Sequence, residues 1–303
     1  MDLENILKNI YPDENQINCL SGIVSTLNQI LTNGSNILKV NVVAPAGSLG
    51  KNTILKGHLE VDCVYILEQD GYSFYHYFSE VIRCLSESSL KTVQFKTTRR
   101  SVSFSLKRPI GTIKVDLFAG FLINNPEQMY LAKNKDAYYG STSLLQNKYF
   151  TNVKRRYQRF TDLVRLVKLW RNIRNIPLTS YMIELIVSNA IDRTPNGSEF
   201  PFYLEACFRT IQSFTDGIPI IPVFWAKYYD NSKIIWNYVP TKLYIIDPSD
   251  PSENIAEVIS EKQKDYIRSE TSFALSRLHQ KDYSFLYYSP ITKGVGGNRI
   301  HIV

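Results

Sequence analysis

Three acidic residues lie in or beside apolar, strand-forming segments, and they limit the folds that this chain can adopt. Glu60 and Asp62 stand at the entrance of the predicted strand 61–67. Side chains two residues apart in a strand point to the same face, about 7 Å apart along the chain. Asp116 lies inside the predicted strand 112–118. Because a buried carboxylate without a partner is costly, the acids must either stay solvated at the strand mouths or converge around a cation.

Convergence of the three acids predicts a specific chemistry. If the two strands are neighbours, three hard oxygen donors meet, and such a set suits Mg²⁺, with Mn²⁺ as an alternative ion. Two such ions can activate an attacking hydroxyl and stabilise a leaving pyrophosphate in an in-line displacement. The pattern therefore predicts nucleotidyl transfer, with Glu60, Asp62 and Asp116 as the catalytic and metal-binding residues.

A turn of small residues precedes the acids. Gly47 and Ser48 follow the apolar segment 37–43, which predicts a buried strand that ends in a turn over 44–50. Small residues at such a turn let backbone N–H groups approach a phosphate, and a serine hydroxyl adds one donor. Taken alone the signal is weak, since Gly-Ser in a turn is usually only a turn. The segment 47–51 also lacks the GxxxxGK[ST] spacing of a P-loop.

The two halves of the chain differ in their predicted secondary structure. Apolar residues at helical spacing predict a long helix over 160–174, whereas strands alternate with helices in the first half. We therefore expect an α+β lobe of residues 1–150, with its N-terminal helix, and a mainly helical lobe of residues 151–303, with the active site in the cleft between them. Further helices are expected over 13–32, 72–85, 181–190, 202–214 and 251–280.

Charge and cysteine spacing narrow the class of protein. The chain has 303 residues, and 35 Lys and Arg against 28 Asp and Glu give a formal net charge of +7. This balance favours polyanionic partners such as nucleotides or nucleic acids. The four cysteines lack the short spacing of a zinc knuckle or a redox site. With neither a signal peptide nor an apolar run of about 18 residues, we expect a cytoplasmic monomer that does not bind membranes.

Together these features resemble the polymerase-β-like nucleotidyltransferases. More narrowly, they resemble the group of 2′-5′-oligoadenylate synthetases and cyclic GMP–AMP synthases, which includes bacterial signalling enzymes. The family's Gly-Ser turn is similar to the segment 47–57, its paired acids fall on Glu60 and Asp62, and its third acid falls on Asp116. Further segments that resemble the synthetase branch are 163–170, 180–185, 225–230 and 246–251.

The resemblance implies a fold, substrates and a larger binding site. It implies a polymerase-β-like sheet lobe, two Mg²⁺ ions on the three acids, and ATP with or without other nucleoside triphosphates as substrates. Arg165 and Lys168 would face the triphosphate, and Tyr181 would stack on a base. A solvated helix face and core packing are the respective alternatives. The implied nucleotide-binding residues are Gly47, Ser48, Lys51, Arg165, Lys168, Ser180 and Tyr181.

Double-stranded RNA is a candidate activator. The segment 148–159 is basic and aromatic, as expected of a surface that contacts a nucleic-acid backbone. However, Phe150 and Pro45 stand where the RNA-sensing synthetases of the family carry cations. An ordinary solvated segment before the long helix is the alternative, and it fits an enzyme that is regulated in another way. The candidate RNA-binding residues are Lys154, Arg155 and Arg159.

The chain departs from the family pattern at two positions. Glu60 stands where the oligoadenylate synthetases usually have Asp, although cyclic GMP–AMP synthases also use Glu there. Asn52 replaces a customary Gly. The His-Cys-Cys-Cys zinc insertion of the animal DNA sensors is missing from the sequence, which argues against that branch.

Three functions stay open at this point. The first is an enzyme that joins ATP into a linear 2′-5′ or a cyclic oligonucleotide messenger, as in antiviral or anti-phage signalling. The second is a terminal tRNA nucleotidyltransferase of the CCA-adding type. The third is a catalytically inactive RNA-binding relative, which the retention of all three acids argues against, because without a metal they only repel one another.

Overall fold

The computed structural model of the protein describes residues 2–34, 38–67, 74–90, 93–98, 101–122, 129–131, 143–221, 242–248 and 254–287. Contacts divide the chain into two units. We call Pro12–Phe150 the sheet unit, and Met1–Tyr11 together with Thr151–Val303 the helical unit.

Within the described residues, six strands of the sheet unit form one mixed sheet. The strands are β1 (Val40–Pro45), β2 (Glu60–Leu67), β3 (Lys96–Thr97), β4 (Ser101–Arg108), β5 (Gly111–Leu122) and β6 (Met129–Leu131). Their order is β1-β2-β5-β4-β3, and β6 pairs with β5. Only β2 and β5 run parallel among these pairs, in a register that sets Asp62 opposite Asp116. The two acid-bearing strands are therefore neighbours, as convergence of the acids requires.

The helices follow the predicted ones where the apolar spacing is strong. The described helices are α1 (Leu3–Ile10), α2 (Glu14–Asn33), α3 (Gly47–Gly50), α4 (Phe74–Ser86), α5 (Ser143–Arg156), α6 (Phe160–Arg174), α7 (Ser180–Arg193), α8 (Phe200–Thr215) and α9 (Glu261–His279). The predicted helix 160–174 coincides with α6, and 13–32 lies within one residue of α2. The expected helix over 251–280 is shorter, because Ser260 caps α9 through a hydrogen bond from the backbone N–H of Gln263.

One prediction on the chain's organisation needs correction. We grouped the first residues with the sheet lobe, but α1 packs on α6 and belongs to the helical unit. The Tyr11 hydroxyl donates a hydrogen bond to Asp162, and Arg159 pairs with Glu4 at 2.8 Å. The apolar face of α1 is buried, and its i, i+3, i+4, i+7 spacing is readable in the sequence as Leu3, Ile6, Leu7 and Ile10.

The core of the helical unit surrounds α6. Apolar residues around most of this helix are buried, which is typical of a helix covered on every side. Trp170 packs edge-on against Phe208 at a ring-centroid distance of 5.0 Å, and Phe208 packs against Phe285 at 5.5 Å. None of the described helices has the combination of length and apolar character that a membrane span requires.

A buried glutamine fixes the loop that leads into β2. Gln16 of α2 is only 4% exposed. Its Nε2 donates to the carbonyl oxygens of Leu55 and His58 at 3.0 and 3.1 Å, and its Oε1 accepts from the Gly57 N–H at 2.9 Å. Three hydrogen bonds from one side chain therefore set the path of the backbone just before Glu60.

We expect Gln16→Ala to lower the free energy of unfolding by about 2–3 kcal/mol, because it leaves buried backbone groups without partners. Urea denaturation measures this difference. The matched control is Gln29→Ala on the exposed face of the same helix, for which a change within about 0.5 kcal/mol is expected. Equal costs for the two substitutions would contradict the anchoring role.

Candidate active site

Glu60, Asp62 and Asp116 meet on one face of the sheet. One carboxylate oxygen of each lies within 4.8 Å of those of the other two. Asp62 and Asp116 are direct partners in the parallel register, and Glu60 precedes Asp62 by two residues on the same strand. Asp116 is buried, and the other two acids are half-buried. The structure thus brings together the three acids singled out in the sequence, while their catalytic role stays a prediction.

The pKa values of Asp62 and Glu60 are shifted in opposite directions by burial and by the charges around them. Burial, together with the charges of Glu60 and Asp116, raises the pKa of Asp62 from 3.8 to about 6. A hydrogen bond from His58, whose Nε2 lies 3.1 Å from the carboxylate, and a contact with Lys114 lower the pKa of Glu60 to about 2. Asp62 is therefore the acid most in need of a nearby positive charge.

Two side chains that the sequence analysis did not single out complete the cluster. The Lys114 ammonium lies 3.0 Å from Glu60 Oε1 and 2.6 Å from Asp116 Oδ2. The Ser103 hydroxyl donates to the other oxygen of Asp116, which is its partner across β4 and β5. Lys114 could have been found from the sequence, because it precedes Asp116 by two residues and so shares its face of the strand.

The donor set fits a divalent cation. Carboxylate oxygens are hard ligands of the kind that Mg²⁺ and Mn²⁺ prefer, and three of them here converge. An ammonium group already lies between two of the acids, which shows that the cluster attracts positive charge. The site suggests the use of a divalent metal, while the identity and the number of ions stay predictions.

The small-residue turn beside the acids is a single helical turn, α3. Gly47 adopts a φ of +53°, in the left-handed region that favours glycine. A Cβ atom at this position would overlap Asp62 Oδ2 and lie 2.8 Å from its Cγ. The Ala46 N–H donates to the Asp62 carbonyl oxygen at 2.8 Å and ties the turn to β2. Gly47 is therefore required both by its backbone conformation and by the closeness of the carboxylate.

The end of the same turn explains a departure from the family pattern. Asn52 has a φ of 54°, which asparagine tolerates better than most other residues with a side chain. Next to it, Lys51 is buried, with its ammonium 5.1 Å from the centroid of the Phe150 ring. Phe150 is itself a core residue, so its aromatic ring has a packing role at this position.

Arg165 and Lys168 of α6 are buried cations. Their residues are 3% and 2% exposed, so the alternative of a solvated helix face is wrong. The Arg165 guanidinium lies 4.6 Å from the centroid of the Tyr11 ring and 3.8 Å from Asp162. The Lys168 ammonium donates to Glu184 of α7 at 2.9 Å. Such partners keep two buried charges in place within the helical unit.

Ser180 and Tyr181 lie at the start of α7 and are half-buried. The Tyr181 hydroxyl donates to Asp247 at 2.9 Å, which fixes one end of the ring. Ser180 Oγ accepts from the Arg171 guanidinium at 3.5 Å. Stacking of Tyr181 on a base stays a prediction. The segment 225–230 lies outside the described residues, as do residues 249–251 of the segment 246–251.

The candidate RNA-binding residues differ in their surroundings. Lys154 and Arg155 lie on α5, and Arg159 follows that helix. Most of the segment 148–159, for which an ordinary solvated segment was the alternative, is therefore helical. Arg155 is exposed, and Lys154 is half-buried. The Arg159 guanidinium contacts Asp162 at 3.0 Å in addition to Glu4, and lies 3.7 Å from the centroid of the Phe200 ring. RNA binding stays a prediction, and Arg159 also has a structural role in the helical unit.

A match to a family model shows to which protein family the chain belongs. Residues 122–285, more than half of the chain, match the model described as 2′-5′-oligoadenylate synthetase 1, domain 2, C-terminus. The chain belongs to the 2′-5′-oligoadenylate synthetase family. The segments of α6 and α7 that resembled the synthetase branch lie within the matched range.

Individual relatives of this synthetase-family chain come from bacteria and animals. The cyclic AMP-AMP-AMP synthase of Escherichia coli (strain MS 115-1) is 28% identical over 237 residues, which cover 74% of this chain and 71% of that protein. The 2′-5′-oligoadenylate synthase 1A of Rattus norvegicus is 26% identical over 264 residues, 72% of each chain. Among solved structures, the E. coli MS115-1 CdnC:HORMA-deltaN complex aligns with a TM-score of 0.76 at 21% identity, over 94% of this chain and 92% of that one.

These comparisons confirm the expected group and fold. The synthetase-family chain has the α+β fold of a polymerase-β-like nucleotidyltransferase and belongs with the oligoadenylate synthetases and their bacterial cyclase relatives. The general class of its curated relatives is nucleotidyltransferase.

We expect Gly47→Ala to lower the free energy of unfolding by about 1–3 kcal/mol, since the new methyl group meets the Asp62 carboxylate in a strained backbone. The same change should reduce the rise in melting temperature caused by Mn²⁺, because Asp62 is displaced. The control is Gly22→Ala in α2, where a Cβ meets nothing within 4 Å and helix propensity predicts a gain of up to about 1 kcal/mol. Wild-type stability and an unchanged Mn²⁺ response in Gly47→Ala would contradict this account.

Without metal, Asp62→Asn should stabilise the protein at pH 7.5 by on the order of 1–2 kcal/mol. The pKa of Asp62 is raised to about 6 in the fold, so its contribution to stability is present near pH 4 and is lost as the pH rises through 6. Asparagine avoids the charge that opposes folding above that pH. Urea denaturation in EDTA at pH 4.5 and 7.5 measures the effect, which should shrink at the lower pH. A less stable variant at pH 7.5 would show that the charge of Asp62 does not oppose folding.

Proposed function

We propose that this protein is a template-independent, Mg²⁺-dependent nucleotidyltransferase that joins ATP, alone or with another nucleoside triphosphate, into a short oligonucleotide messenger. The product would be a linear 2′-5′ or a cyclic oligonucleotide, as used in antiviral or anti-phage signalling. The observation that carries the proposal is the convergence of Glu60, Asp62 and Asp116 beside the Gly47 turn in a member of the synthetase family.

In the proposed reaction, an acceptor sugar hydroxyl attacks the α-phosphorus of the donor nucleotide. A new phosphodiester bond forms, the bond to the β-phosphate breaks, and pyrophosphate leaves. Glu60, Asp62 and Asp116 would hold two Mg²⁺ ions, which supply Lewis-acid activation of the hydroxyl and charge stabilisation of the leaving group when bound. Asp116 would help to take up the hydroxyl proton, and its hydrogen bond from Ser103 keeps one of its oxygens in a fixed position.

The remaining candidate residues would bind the donor nucleotide. The first N–H groups of a helical turn have no acceptor within the helix, so those at the start of α3, with the Ser48 hydroxyl, can bind a phosphate. Lys51 would add positive charge to the same region. Arg165 and Lys168 would face the triphosphate and Tyr181 with Ser180 would contact a base, as the family resemblance implies. The partners of the two cations, Asp162 and Glu184, hold both charges in fixed positions, as a preorganised binding site requires.

We expect the wild-type protein to convert labelled ATP and Mg²⁺ into acid-soluble oligonucleotides and pyrophosphate. Asp116→Asn should reduce this rate by about 100-fold or more, because it removes a ligand and a proton acceptor at once. Mass spectrometry of the products from all four nucleoside triphosphates reports the bases and whether the product is cyclic. The control Asp265→Asn alters an exposed acid of α9 and should leave the rate unchanged.

Parallel reactions with tRNA and with duplex RNA separate the alternatives. Label transferred to tRNA would overturn the proposal in favour of a terminal tRNA nucleotidyltransferase. Synthesis that starts only when duplex RNA is added would support RNA activation, and Arg155→Glu should then weaken the response. Absence of any nucleotidyl transfer, with a folded protein and every combination of nucleotide and RNA, would point to an inactive binding protein.

A further inference from the structure

Four charged side chains form a two-by-two patch on the sheet. In the parallel register of β2 and β5, Glu60 is opposite Lys114 and Asp62 is opposite Asp116. The ammonium of Lys114 reaches both Glu60 and the neighbouring Asp116, at 3.0 and 2.6 Å. One lysine therefore links two of the three carboxylates across the strand pair.

The ammonium lies where an ion bound by the same two oxygens, Glu60 Oε1 and Asp116 Oδ2, would lie. A Mg²⁺ or Mn²⁺ ion bound by Glu60 Oε1 and Asp116 Oδ2 would sit about 2.0–2.2 Å from each oxygen, closer than the Lys114 nitrogen does. Two cations that share the same pair of oxygens repel each other strongly at such distances. Lys114 and a divalent ion cannot both occupy this space.

Lys114 is also able to leave. Its side chain is 57% exposed, so it can rotate into solvent without disturbing the core. The two acids keep other partners when it leaves, because His58 contacts Glu60 and Ser103 donates to Asp116. Lys114 can therefore leave the acidic cluster while the contacts of Glu60 and Asp116 with His58 and Ser103 remain.

We propose that Lys114 is an internal counter-cation that competes with divalent metal for Glu60 and Asp116. In the metal-free protein it neutralises part of the acidic cluster, and it is displaced when metal binds. Metal binding in the absence of nucleotide is therefore weaker than the three carboxylates alone would allow. The inference rests on the proposed function only in that the three acids hold a divalent ion. Lys114 acts here on the metal site and is not a catalytic residue.

The test is a titration of the full chain with Mn²⁺ at pH 7.5 without nucleotide, in which electron paramagnetic resonance detects the free ion. Lys114→Met removes the charge and keeps the length of the side chain, so its Kd for Mn²⁺ should fall about fivefold or more. Lys114→Arg keeps the charge and should stay within about twofold of wild type. The matched control is Lys107→Met, an exposed lysine of β4 opposite Thr112, with no change expected.

Thermal unfolding in EDTA gives a second readout that does not depend on activity. Lys114→Met should melt at a lower temperature than wild type without metal and should gain more from added Mn²⁺. If that variant is unfolded without metal, Lys114→Gln replaces it in both measurements. An unchanged or weaker Mn²⁺ affinity in the folded variant overturns the proposed competition by Lys114. It does not contradict metal binding by the three acids. Failure of both wild type and variant to bind Mn²⁺ overturns the metal site as well.

Discussion

The parallel pairing of β2 with β5 sets Asp62 opposite Asp116, and the repulsion between these carboxylates is the constraint on which the site depends. Burial first, and then the charges of Glu60 and Asp116, raise the pKa of Asp62 to about 6. The surrounding residues offset the cost with hydrogen bonds and with the positive charges of Lys114 and Lys51, while Gly47 leaves room for the carboxylate. Such an arrangement opposes stability unless a cation is present, which is typical of a metal-dependent active site.

The helical unit also contains buried charges, and in this unit they are positive. Arg165 and Lys168 are buried, and each has an anionic or aromatic partner from another helix or from the N-terminal segment. Tyr11 therefore connects the first helix to Arg165 of α6. Both units thus hold ionised groups in partly desolvated positions, where electrostatic interactions are stronger than in bulk water.

Much of the fold could be predicted because its signals are local. Apolar segments indicated β2 and the first part of β5, and the helical stripe over 160–174 coincided with the observed bounds of α6. Apart from the single turn of α3, which was predicted as a turn, two helices were missed for different reasons. The spacing in α1 was readable but short, whereas α5 is basic and polar overall and depends on the burial of Tyr149, Phe150 and Val153. In α5 tertiary packing outweighs a weak local pattern.

The sequence by itself singled out the three acids and the glycine before them, because acids in or beside apolar strands are unusual wherever the chain folds. The family resemblance also came from the sequence alone, because the matching segments follow one another along the chain as in the family. Only the tertiary structure decided which residues surround the acids: Lys114 lies between Glu60 and Asp116, Ser103 also bonds Asp116, and the first eleven residues belong to the helical unit. The contact of Lys114 with Glu60 joins residues 54 apart in the chain. Local periodicity does not say which strands become neighbours or which distant carboxylate a side chain will contact.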